Sequence, residues 1–63
     1  MIDQTEMDIL AGTVAALRRR ADRQRKVAAK HGEGSGECAI ALRLAAEFDE
    51  LADDFAREAI AAP

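Results

Sequence analysis

The residues able to do chemistry are few. The chain has one cysteine, Cys38, and one histidine, His31. A closed tetrahedral zinc site needs four such ligands, so this inventory does not supply one. Nor can one cysteine form a disulfide within the chain. Cys38 falls at the start of a helical segment, where a helix macrodipole favours a thiolate and hence reactivity. It also belongs to a column of small residues, and burial as an inert side chain is the preferred reading. His31 is separated from it by a glycine-rich turn and makes no recognised nucleophile–base motif with it.

Glu47, Asp49, Glu50, Asp53, Asp54 and Glu58 form the second candidate set. Carboxylates three and four apart share a helical face, but a di-iron bundle needs inward Glu with Glu-x-x-His pairs. These positions instead read as a solvated acidic face. The third set is the run RRRADRQRK, residues 18–26, with six cations and one anion in a chain of net charge −3. Arg18, Arg19, Arg23, Arg25 and Lys26 are the candidate contacts to an acidic partner or a nucleic acid. Their heptad positions spread around the outer surface, and the chain has no Tyr or Trp for base stacking. A solvated run that steers an acidic protein surface is therefore preferred to RNA or DNA binding. No catalytic residue, metal or cofactor is expected.

Sixty-three residues make a single domain, 1–63, too small to be comfortably stable alone. No apolar run approaches the roughly 20 residues that span a bilayer, and the N-terminus lacks a signal-peptide pattern. The expectation is a cytoplasmic, reduced protein without membrane contact. Ala, Leu, Arg and Glu dominate and the one Pro is terminal, so the fold class is all-α.

Helix 1 is expected over about 3–31, capped by Asp3 with Glu6 as reciprocal partner and Ile2 stapled to Met7. Its seam is Met7, Leu10, Val14, Leu17, Ala21, Gln24 and Ala28, spaced by threes and fours. Gln24 is a polar seam residue that can fix register. Gly32 to Gly36 form the turn, and Ser35 caps helix 2, over about 36–62. There Ala41, Leu44, Phe48, Leu51, Phe55, Glu58 and Ala62 repeat the same spacing. An antiparallel hairpin pairs Val14 with Phe55, Leu17 with Leu51, Ala21 with Phe48, Gln24 with Leu44 and Ala28 with Ala41. Gly12 is costly in mid-helix, and either a close helix contact or a kink would explain it.

A second column, Cys38, Ala45, Ala52 and Ala59, reads as a close contact for another hairpin. Leu17, Leu44, Phe48, Leu51 and Phe55 are the expected dimer seam, with Leu10 and Val14 in the core. Replacing Ala52 with Leu is accordingly expected to disrupt dimerisation. Cations gather toward the turn and carboxylates toward the open end, so two hairpins with opposed turns would match charge. The expected assembly is an antiparallel homodimer, a four-helix bundle, that binds another protein. In size and layout it resembles RNA-binding hairpin dimers of the ROP type.

The stretch LRLAAEFDELADDF, Leu42 to Phe55, also resembles a pattern, L-A-x-E-[F/Y]-D-x-L-A, of small bacterial helical-hairpin proteins. That family implies a hairpin but no activity. Its short turn often carries Asp-Pro where this chain is glycine-rich. The same stretch is similar to the S-Q-E-L-D signature of sporulation aspartyl-phosphate phosphatases. Ala45 and Ala46 stand in place of its Ser and Gln, so the resemblance does not extend to that activity.

Overall fold

The computed structural model describes residues 3–61. Two helices, α1 (Gln4–His31) and α2 (Gly36–Ala61), pack along their length as a hairpin, with no strand among the described residues. The result is a rod of 46 × 15 × 10 Å.

Local chemistry sets the ends. Asp3 is extended, and its carboxylate accepts a 2.8 Å hydrogen bond from the Glu6 amide. This satisfies one of the unpaired donors at the start of a helix. The reciprocal bond, from the Asp3 amide to the Glu6 carboxylate, is not formed among the described residues, so the cap is one-sided. The proposed Ile2 staple and the Ala62 seam position lie outside the described residues. Gly32, at φ 81°, ends α1 with its amide donating to the Ala28 carbonyl at 3.1 Å. A positive φ is strained for a residue with a Cβ, so glycine suits this position. The Ser35 hydroxyl donates to the Gly32 carbonyl and accepts from the Cys38 amide at 3.0 Å, joining the two helix ends.

The seam of α1 follows the expected heptad, with Leu17, Ala21 and Ala28 buried and Leu10, Val14 and Gln24 half-buried. The seam of α2 is rotated from the expected one. Cys38, Ala41, Ala45 and Ala52 are buried, Phe48, Phe55 and Ala59 half-buried, while Leu51 is 46% exposed and Glu58 exposed. Thus Cys38, Ala45 and Ala52 are buried within their own hairpin, not held free for a second one, and Ala59 is partly so. Ala28 meets Cys38 and Ala41 with Val27 against them, preserving the expected antiparallel register. That register sets Ala52, not Leu51, level with Leu17, and Ala45, not Leu44, level with Gln24.

The cause is steric. A Cβ-sized side chain lets two helix backbones approach, and dispersion gains grow with the number of atoms brought into contact. Larger residues at the seam would hold the helices apart; here they stand at its edge. Gly12 has no part in this approach, since a Cβ built there would meet nothing within 4 Å.

Candidate interaction surface

Opening the heptads around this seam separates two broad faces. At 3.6 residues per turn, Met7, Val14, Arg18 and Arg25 lie on one flank of α1, and Ile9, Ala16, Arg20, Arg23 and Val27 on the other. The first flank adjoins Asp49, Asp53, Ala56 and Ile60 of α2. Arg18 reaches Asp53 at 3.8 Å, and Arg25 bridges Asp49 and its neighbour Asp22. Beyond these pairs, at the open end, Met7, Leu10, Val14, Ala56, Ala59 and Ile60 line a shallow groove of about 470 Å³.

The first face also carries Leu42, 52% exposed, near the turn, whereas the opposite face is apolar along most of its length. Ile40, Leu44, Phe48, Leu51 and Phe55 form a continuous stripe along α2. Ile40 is 63% exposed and Leu51 46%, while Leu44, Phe48 and Phe55 are half-buried at the seam's edge. Across the seam, Val27 and Ala16 are half-buried and Ile9 is exposed on the same face. Fully burying a Leu or Ile side chain contributes about 1.5–3 kcal/mol. A two-helix chain whose inner seam is mostly alanine leaves much of that stabilisation unrealised.

The expected dimer residues therefore divide. Leu17 belongs to the inner seam, whereas Leu44, Phe48, Leu51 and Phe55 retain surface on the outside. Leu10 and Val14 line the groove of the other face. Ile40 joins the stripe although it was not assigned to the seam; its place four residues before Leu44 was the available signal.

The basic run divides as well. Arg18 and Arg25 face carboxylates of their own chain. Arg19, Arg23 and Lys26 are exposed and form no ion pair among the described residues, and with Lys30 they make one outward line along α1. Arg20, also exposed and unpaired, lies on the Ile9–Val27 flank, so the unpaired cations of the run cover that flank and the outward side but not the flank of Arg18 and Arg25. Surface pairs such as Arg18–Asp53 are worth little individually, so they align the helices more than they stabilise them.

Cys38 is buried among Ala28, Ala41 and Val27 while His31 is exposed. Glu47, Glu50, Asp53, Asp54 and Glu58 face water, and no group of three or more metal-ligating side chains gathers among the described residues. None of the described helices is long and apolar enough to cross a membrane. No protein-family model matches the chain, and comparison with curated proteins and with solved structures finds no match either.

Proposed function

We propose that the protein is a small non-enzymatic interaction module, a homodimeric four-helix bundle that binds another protein. The observation that carries the reading is the α2 stripe from Ile40 to Phe55, apolar, continuous and half-exposed beside an alanine seam. A second copy covers that stripe and supplies the core that one hairpin lacks. The groove at the open end and the exposed Arg19, Lys26 and Lys30 of α1 lie outside the stripe and remain available to a different partner.

Sedimentation equilibrium of the native chain and of a Leu44→Lys/Leu51→Lys variant tests this reading. The native chain is expected to sediment as a dimer, and the variant to dissociate at least a hundredfold more readily. A native chain that stays monomeric up to millimolar concentration overturns it.

One observation favours RNA or DNA as an alternative partner: the line of Arg19, Arg23, Lys26 and Lys30. The net charge of −3 and the lack of Tyr and Trp weigh against it. A mobility-shift panel of RNA and DNA at low salt decides the point, since phosphate contacts would weaken steeply as salt rises.

A further inference from the structure

We infer that the two copies pair stripe face to stripe face with their turns at the same end, so that α1 of each lies across α2 of the other. The inference rests on the dimer reading above and replaces the opposed-turn direction expected from the sequence.

Two identical faces meeting across a twofold axis in the interface have two arrangements. If the axis runs across the helices, the turns oppose and each helix covers its own counterpart. If it runs along the rod, the turns coincide and α1 covers α2.

The residues bordering the apolar face distinguish the two. At mid-height the border is Arg20 and Arg23 on α1 and Glu47 on α2; Glu58 stands on the same face at the open end, beside Ile9. All four are exposed and make no ion pair within the chain among the described residues. The register fixed by Ala28 and Ala41 puts Arg23 level with Ala46 and Arg20 level with Asp49, so the two arginines bracket the height of Glu47.

Rotation about the rod axis leaves heights unchanged. Coincident turns therefore set Arg20 and Arg23 of each copy against Glu47 of the other, and this contact occurs twice. Val27 then falls between Ile40 and Leu44 of the second copy, and Ala16 between Leu51 and Phe55, small against large. Opposed turns, centred on the stripe near Phe48, would instead set Arg20 of one copy over Arg23 of the other, and Glu47 beside its own counterpart. Like charges brought together oppose association, and opposite charges favour it.

The overall segregation of charge pointed to opposed turns. Most of its carriers, however, stand elsewhere: Arg19, Lys26, Glu50 and Asp54 on the outer faces, and Arg18 and Arg25 facing carboxylates of their own chain. At physiological salt a charge is screened over about 8 Å, so the bordering residues decide the direction. The broad face measures 46 × 15 Å. Pairing along it removes on the order of 700 Å² from each copy, close to the roughly 800 Å² per partner of specific interfaces.

A nitroxide at Glu33→Cys, in a Cys38→Ala background, reports the turn-to-turn distance by pulsed dipolar spectroscopy at concentrations where the mass is dimeric. The expected separation is below about 25 Å; opposed turns on this rod would give about 40 Å or more. Independently, Arg23→Glu is expected to raise the dimer Kd about tenfold at low salt, and Arg23→Glu/Glu47→Arg to restore it. A long separation, or a tighter dimer for Arg23→Glu, overturns the inferred direction while leaving the dimer intact. A monomeric mass for the unsubstituted chain removes the dimer reading itself.

Discussion

Ala52→Leu probes the seam directly, because Ala52 is 0% exposed and level with the buried Leu17. The substitution adds three carbons where α1 and α2 approach, and Ala21, also fully buried, leaves α1 no nearby gap to receive them. Overpacking of this kind costs about 1–3 kcal/mol. At about 0.05–0.15 kcal/mol per residue, a chain of this length has a total stability on the order of 3–9 kcal/mol, so roughly a third of it is lost. The assay is urea unfolding followed by helical circular dichroism, with native chain and variant compared at matched protein concentrations. A lower midpoint with an unchanged slope is expected. Leu51→Ala is the control, since it shortens a side chain on the outer stripe; its effect on the midpoint should diminish as protein concentration is lowered. An Ala52→Leu chain as stable as the native one, changed only in its association, would refute the assignment of Cys38, Ala45 and Ala52 to the inner seam.

Gly12→Ala is expected to stabilise the chain by about 0.5–1 kcal/mol, because the added methyl meets open space and removes the entropic cost of glycine in a helix. Thermal unfolding measures it, and no rise in midpoint would show that Gly12 serves something other than the hairpin. The Cys38 thiol, 8% exposed and enclosed by Ala28, Ala41 and Val27, is expected to react with a water-soluble disulfide reagent far more slowly when folded than in urea. Equal rates in the two conditions would mean that the turn end opens readily and that the seam there is not closed.

The start of α1 and the two helix ends at the turn were legible in the sequence because they depend on neighbours within four residues. Asp3 accepts from Glu6, Gly32 takes a positive φ, and Ser35 caps Cys38, each through local hydrogen-bond geometry. The seam of α1 was legible too, since one column there holds both the larger apolar residues and the unbroken three–four spacing. For α2 the same spacing fits two columns. Ala41, Phe48 and Phe55 belong to either, and only the choice between Leu44 with Leu51 and Ala45 with Ala52 separates them. Periodicity fixes how apolar residues recur around a helix, not which edge of the apolar arc meets another helix.

That choice is tertiary. It depends on how closely two backbones can approach, which is a property of both helices together. Here the small column went inward and the large residues were left at the edge. The same holds for the arginines: Arg18 and Arg25 share a heptad position, but only the arrival of Asp53 and Asp49 across the seam separates them from Arg19, Arg23 and Lys26. The sequence by itself determined the two helices and the turn between them. The tertiary structure decided the rotation of α2 about its axis, and with it which apolar and charged residues remain on the outside, because close backbone approach is settled between helices and not along one.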